Sequence, residues 1–429
     1  MKGWFQLIID YRERLGLKHE ADAATSVGIM RDFDNNNEHG TKIAKHYRKR
    51  VTERMNKKSL ESEWVEAING QEDFILDEFR RRGKEGKLAI DPAPVFWETA
   101  LGESSKMVMF KFAIGIDLRE KPKRLEKLIR CGKAGIEAFD GIDQHSLIFE
   151  WMPKFIRKFI PISLWPDYIK EQSELLDEII EIVAEVKAEN EQNENESSLI
   201  SVFENDVKLG KMNHWDAIWT IHQLIIAGND TVAISLRTFL INMAKHQEEQ
   251  ERIRNALKER NYGQKELKDC PRLFAAIYES FRYSPTVSES TPFHTITEDT
   301  TIRDMKFKKG DLIRSAIGAM SFHVGKEDPF KFASDRFLDE NGDFRKYDAS
   351  VPYHVGRRDC PGQILANIQL FHISKIILKH FRLTTSEMSV FQNLQEFENI
   401  YSGGKFTDAD HYLPNLKENR VVFVPISDE

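Results

Sequence analysis

Apolar residues recur at three- and four-residue spacing through 4–15, 60–81, 121–139, 168–189, 212–245, 248–259, 271–283 and 361–380. That spacing lines one face of an α-helix, so each stretch is predicted helical. Between two of them the run Asn190-Glu-Gln-Asn-Glu-Asn-Glu-Ser197 is polar and acidic and predicts a solvated loop. Strand patterns are short and come late. They are Thr300–Ile302, Met305–Phe307 and Leu312–Ser315, punctuated by Lys309-Gly310-Asp311, with Arg420–Pro425 near the end. No internal repeat is visible. The predicted fold class is mainly α (α+β), a helical domain with a small β region in the last third.

Two helices carry residues that their pattern does not need. Inside 212–245, an apolar run is interrupted by Gly228, Asn229, Asp230 and Thr231. Glycine costs about 1 kcal/mol against alanine in a helix interior. A threonine hydroxyl can bond back to a carbonyl and bend the helix. Such self-weakening is expected where function outweighs stability. A kink with a solvated aspartate is the plainer alternative. In 271–283, Glu279 and Arg282 stand three apart on one face, among Leu273, Phe274, Ile277 and Phe281. Buried there, the pair needs a third polar partner, and Arg336 in Phe332-Ala-Ser-Asp-Arg336-Phe337 is the candidate.

Composition narrows the classes. The chain has 429 residues, 41% hydrophobic and 31% charged, with 62 basic against 69 acidic side chains and a net charge of −7. Scattered charge of that sign gives no footprint for nucleic acid. Cys131, Cys270 and Cys360 lie far apart without a C-x-x-C pair. A disulfide framework or structural zinc is therefore not expected, and a reducing, intracellular setting fits. The apolar run at 4–9 is too short for a membrane span or a signal-peptide core, so no crossing is predicted.

The densest chemistry is Tyr353-His-Val-Gly356-Arg-Arg358-Asp-Cys360-Pro-Gly362. Pro361 suits a first helical position, which would put the Cys360 thiolate at the positive end of a helix. That placement lowers a thiol's pKa and fits it to ligate a metal. Gly356 and Gly362 allow the backbone close to a flat ligand, and Arg357 and Arg358 offer cations for its acidic groups. A haem held through cysteine requires these features. A helix start that happens to hold a buried cysteine is the alternative.

Taken together and in order, these pieces resemble the cytochrome P450 family. Ala227-Gly-x-Asp-Thr231 comes first, then Glu279-x-x-Arg282. Ser334-Asp-Arg336-Phe337 follows, and last Tyr353-x-x-Gly356-x-Arg358-x-Cys360-x-Gly362. The resemblance covers roughly 28–429, most convincingly from 212, with the haem-binding core at about 212–380. It implies one P450 domain spanning 1–429. Cys360 is implied as the axial thiolate of haem b (iron protoporphyrin IX), and Arg358, His294 and Arg48 (or His46) as propionate contacts. Tyr353, Gly356 and Gly362 shape the cysteine loop. Ala227 and Gly228 line the oxygen and substrate groove, and Asp230 and Thr231 deliver protons. Glu279, Arg282 and Arg336 form a structural triad.

The implied activity is insertion of one oxygen atom from O2 into a lipophilic substrate such as a fatty acid, sterol or xenobiotic. No flavin or nicotinamide motif is present, so electrons are expected from NADPH through a separate reductase, with cytochrome b5 a further partner. Two alternatives stand beside it: a haem-thiolate isomerase or dehydratase working without O2, and a non-catalytic haem binder. The chain departs from the family in several places. Tyr353 replaces the usual Phe, the Phe332 segment lacks its proline and the loop between His323 and Arg336 is short. Gly40–Lys49 lacks the tryptophan expected before the haem. The anchor helix, proline-rich hinge and early strands are not discernible in front of Gly28. A diverged soluble member, an alternative product and an incomplete gene model all fit that shortening. Residues 150–170 fall at the substrate lid and carry Trp151, Phe155, Phe159 and Trp165 beside Lys154, Arg157 and Lys158. A loop packed on the core is the plain reading. The same composition suits a membrane interface, giving peripheral contact with the cytosolic face of the endoplasmic reticulum, with a cytoplasmic location as the alternative.

Overall fold

A computed structural model describes residues 2–17, 38–56, 72–73, 75–77, 109–115, 118, 121–139, 152–190, 198–259, 267–286, 294–313, 315–323, 328–347, 350–385 and 421–426. The fold is mainly α with a small β region. Its described residues belong to two compact units, Met1–Leu60 with Ser105–Asp230, and Glu61–Ser104 with Thr231–Glu429.

The first unit holds α1 (Lys2–Arg14), α2 (Glu38–Asn56), α3 (Pro122–Phe139), α4 (Lys154–Arg157), α5 (Asp167–Asn190), α6 (Leu199–Lys208) and the first half of α7 (His214–Lys245). Local sequence sets the helix starts. Pro122 opens α3, where its missing N–H costs nothing. Ser198 Oγ accepts the Ser201 amide ahead of α6, and Asn213 Oδ1 accepts that of Trp215 ahead of α7.

The central element is α5, against which α1, α3 and α6 pack. Leu7, Ile8 and Ile9 of α1 and Leu175, Leu176, Ile179 and Ile182 of α5 are buried. Arg12 crosses from α1 to α5, donating to Ser173 O at 3.0 Å and pairing with Asp177 at 2.6 Å. Arg124 of α3 reaches Glu178 and grips both oxygens of Glu185 at 2.9 Å. Asp206 of α6 is held by the Arg50 fork at 2.6 Å and by His46 at 3.0 Å. Burial works against this carboxylate, but the arginine outweighs it and keeps the Asp206 pKa below the usual range.

The second unit holds the rest of α7, α8 (Gln247–Lys258), α9 (Pro271–Tyr283), α10 (Ile317–His323) and α11 (Gln363–His380). The described strands form three antiparallel pairs. β1 (His294–Thr295) pairs with β4 (Leu312–Ile313), and β2 (Thr300–Ile302) with β3 (Met305–Phe307). β5 (Phe381–Thr385) pairs with β6 (Val421–Pro425), Leu383 opposite Phe423. A buried glutamine fastens β5 to the helices. Gln250 donates to Met243 O and Leu383 O and accepts the Leu383 amide, at 2.8–2.9 Å.

The periodicity found α1, α3, α5, α7, α8, α9 and α11 to within a few residues. Of 60–81, residues 72–73 and 75–77 are described and helical; the others lie outside the described residues, as do 191–197 of the acidic loop. The predicted strand at Leu312–Ser315 ends at Ile313. Helices α2, α6 and α10 and strand β5 escaped the pattern because each is short or sparse in apolar residues. In α2, Ala44, Tyr47 and Val51 are its buried apolar residues, about one per turn among charges.

Two helices of the first unit approach each other at a glycine. A methyl on Gly135 of α3 would stand 2.8–3.0 Å from three side-chain carbons of Ile226 on α7. Gly135→Ala is therefore expected to destabilise by about 1–3 kcal/mol through overpacking, despite alanine's better helix propensity. In an Ile226→Ala background the same change should cost less. Urea unfolding of the four chains checks this; equal effects in both backgrounds would refute the close approach.

Candidate functional site

The second unit is built around α9, which shows charge on one face and aromatic rings on another. Glu279 and Arg282 are 0% and 1% exposed, and Arg336 is 4% exposed. Arg282 forks onto both Glu279 oxygens at 2.7 and 2.8 Å. Its other bonds go to Ser321 O at 3.2 Å, Pro329 O at 2.8 Å and Lys331 O at 3.2 Å. All five guanidinium N–H donors are thereby satisfied. Glu279 also accepts the Ala333 amide at 2.8 Å, and Arg336 Nε lies 3.5 Å away. Burial leaves the Glu279 carboxyl above its ordinary value, against the opposing pull of Arg282, the Ala333 N–H and Arg336. The fork geometry holds it as a carboxylate. The structure thus brings the three residues of the expected triad together.

The other face of α9 carries Tyr278 and Phe281, whose rings lie 6.4 and 5.6 Å from that of Tyr353. The Tyr353 hydroxyl donates to Asn367 Oδ1 of α11 at 2.7 Å, and Asn367 Nδ2 reaches the Tyr278 hydroxyl at 3.4 Å. Burial raises the Tyr353 pKa well above the ordinary phenol value, with Tyr278 and Cys360 adding, so it stays a neutral donor. From this fixed ring the backbone returns on itself. The Cys360 amide donates to Tyr353 O at 2.8 Å, closing the loop. Two residues inside it adopt left-handed backbone, His354 at φ 60° and Gly356 at φ 84°. The glycine does so without strain; the histidine does not.

Pro361 is not the first helical residue. Helix α11 starts at Gln363, with Gly362 in the cap position and the Ala366 amide bonded to Gly362 O at 2.9 Å. Cys360 still lies over the helix entry, because a methyl on Gly362 would stand 3.7 Å from its sulfur. The thiol is exposed and in no disulfide, whereas Cys131 and Cys270 are buried. Burial pushes the Cys131 thiol up to about 12, beyond use as a thiolate at neutral pH.

His294 is exposed on β1, and Arg358 is half-buried in the 3₁₀ turn Gly356–Arg358. His294 lies near enough to His354 that, after burial, it is the second cause holding the His354 pKa below the usual imidazole value. His354 is a neighbour the sequence reading missed. Arg48 is half-buried on α2; His46, its alternative, is engaged by Asp206.

The middle of α7 is helical through Ala227–Thr231. Ala227 is exposed and Gly228 half-buried between otherwise buried turns. A methyl on Gly228 would meet Met109 Cγ at 2.7 Å, so this glycine also serves close packing. Asp230 is on the helix, but its side chain lies outside the described residues. Thr231 O accepts the Ser235 hydroxyl at 2.7 Å, and that hydroxyl meets Thr286 Oγ1 at 2.8 Å. This polar pair was not read from the sequence. Ala227 to Asp230 belong to the first unit, and Thr231 with the cysteine loop to the second.

The cytochrome P450 family model matches residues 29–403. The chain belongs to the cytochrome P450 family. It is 30% identical over 187 residues to human cytochrome P450 2C8, covering 42% of this chain and 38% of that protein. It is 31% identical over 173 residues to cytochrome P450 2C20 of Macaca fascicularis, covering 39% of this chain and 35% of that one. Cytochrome P450 2C3 of Oryctolagus cuniculus is 33% identical over 172 residues, again 39% and 35%. The matched stretch thus spans under two fifths of these relatives' length.

The residues fit the haem that this P450 family implies. An exposed thiol stands over a helix entry, with glycine at 356 and 362 and a half-buried cation at 358. Iodoacetamide should accordingly label Cys360 first in the haem-free chain, at least about tenfold faster than Cys131 or Cys270, and haem loading should protect it. Peptide mapping reads this; earlier labelling of either other cysteine would contradict the assignment. Glu279→Ala strands two buried guanidinium groups and should cost about 3–5 kcal/mol, leaving little folded protein. A normal urea midpoint in that variant would show that the cluster contributes nothing.

Proposed function

We propose that this P450 chain is a haem-thiolate monooxygenase forming one domain over 1–429, oxidising a lipophilic substrate with O2 and electrons from NADPH through a separate reductase, with cytochrome b5 as a further donor. We place it at the endoplasmic reticulum membrane, on the cytosolic face. The observation that carries this reading is the exposed Cys360 thiol, held over the α11 entry by the bond of its amide to Tyr353 O. Family membership and the mammalian P450 relatives support it.

In this reading Cys360 Sγ holds the haem iron. Arg358 and His294 would hold the propionates. The glycines at 356 and 362 leave room for the ring. Haem supplies the redox chemistry, and a thiolate ligand favours O–O cleavage. The protein's task is then to admit protons and exclude bulk water. Thr231 Oγ1, beside Asp230, holds the water that carries a proton. The Ser235–Thr286 hydroxyl pair, one turn on, steadies the Thr231 carbonyl.

Thr231→Ala should load haem and bind substrate normally. With reductase and NADPH, product formed per NADPH should fall by roughly tenfold or more while peroxide rises. Parallel assays of NADPH, product and peroxide check this. Unchanged coupling would remove Thr231 from the proton path.

A further inference from the structure

Tyr353 is held at two points. Its carbonyl accepts the Cys360 amide at 2.8 Å, and its hydroxyl donates to Asn367 Oδ1 at 2.7 Å. The first bond closes the neck of the cysteine loop. The second fastens that neck to the second turn of α11, the helix over whose entry the Cys360 sulfur lies. Cys360 is thus tied to α11 along two routes, one through the chain at 361–362 and one through Tyr353.

The neighbours of Asn367 set which way its amide faces. Asn367 is 8% exposed, and its Nδ2 reaches the Tyr278 hydroxyl at 3.4 Å, which Gln363 Nε2 also approaches at 3.5 Å. That leaves Oδ1 turned to Tyr353. The Phe281 ring, 5.6 Å away, packs edge-on to that of Tyr353, and Tyr278 is buried against Phe274 and Phe344 at 4.9 Å each. In such a setting the Tyr353 hydroxyl and Asn367 Oδ1 depend on each other, since either one alone becomes a buried polar group without a partner.

The loop has a reason to need the second tie. His354 takes φ 60°, a left-handed conformation that a residue with a β-carbon adopts at a cost. That cost is of the same order as the net gain from one ordinary hydrogen bond, so the bond at the neck does not by itself hold this shape. A phenylalanine at 353, the residue usual in the family, would have no hydroxyl to make the tie.

We propose that Tyr353 and Asn367 are positioning residues for the haem ligand: their hydrogen bond holds the Cys360 sulfur over the α11 entry and so keeps it on the haem iron. Neither residue touches the iron. Without the tie, His354 relaxes out of its left-handed backbone and the sulfur moves off the helix entry. The inference rests on Cys360 holding the haem, as proposed above, and assigns what keeps it there.

Tyr353→Phe and Asn367→Leu are made singly and together in the full haem-loaded chain. Each single change strands a buried polar group and should lower the urea midpoint. The double change removes both partners, so its midpoint should return close to that of the unmutated chain. Haem retention should not return with it. Transfer of haem to excess apomyoglobin is expected to be about tenfold faster or more in all three variants, and their reduced carbon monoxide complexes should lose red-shifted Soret band to an unshifted one. A double variant that recovers haem retention along with its midpoint shows a contact that only stabilises the fold, and overturns the proposal. Haem loss from Tyr353→Phe at the unmutated rate also overturns it, and decides the matter if Asn367→Leu fails to fold. Should the unmutated chain itself never show a red-shifted band, the thiolate reading falls and this inference with it; a red-shifted unmutated chain with unaffected variants removes this inference alone.

Discussion

The second unit depends on one constraint: a carboxylate and two guanidinium groups removed from water around α9. Desolvating each ion costs several kcal/mol, and the attraction between them repays this only if every donor and lone pair finds a partner. Arg282 therefore recruits carbonyls from Ser321, Pro329 and Lys331, and Glu279 recruits the Ala333 amide. These bonds explain how the irregular chain at 328–333, with no helix or described strand of its own, takes a defined path. The polar cluster acts as its secondary structure. Just beyond it Phe337, fully buried, meets the Tyr278 ring of α9 at 5.9 Å and stacks with Phe344.

Because helix residues one apart face different directions, the same thirteen residues of α9 serve a second purpose. Glu279 and Arg282 face the irregular segment, and Tyr278 and Phe281 face Tyr353 and α11. Order in the charged cluster is thus transmitted to Tyr353 through a shared rigid helix, and from Tyr353 O to the amide of Cys360 in a single hydrogen bond. The thiol is exposed while its backbone is fixed, the combination a metal ligand requires. His354 accepts a left-handed backbone inside this loop, and such strain persists only where the surroundings over-determine it.

The long periodic helices were legible because burial repeats every three to four residues, and α9 with its charged pair was legible for the same reason. Glu279 and Arg282 share a face by spacing alone, and Arg336 was the one arginine in a compact aromatic segment nearby. What escaped has a physical explanation too. Helix α2 is built on ion pairs to Asp206, a residue more than 150 positions away, and spacing does not carry that information. The start of α11 slipped from Pro361 to Gln363 because the bond from Cys360 to Tyr353 O claims the preceding turn. The Ser235–Thr286 pair joins hydroxyls from two elements, each ordinary on its own. The His294–His354 approach likewise depends on tertiary structure, not on any local pattern.

The central claim is that this scaffold presents Cys360, and neither other cysteine, as a thiolate ligand. Its most direct test is the absorption spectrum of the haem-loaded chain, reduced and exposed to carbon monoxide. A strongly red-shifted Soret band is predicted, unchanged in Cys131→Ala and Cys270→Ala and lost in Cys360→Ala. A band that survives Cys360→Ala, or one that is never red-shifted in the unmutated chain, would contradict the account.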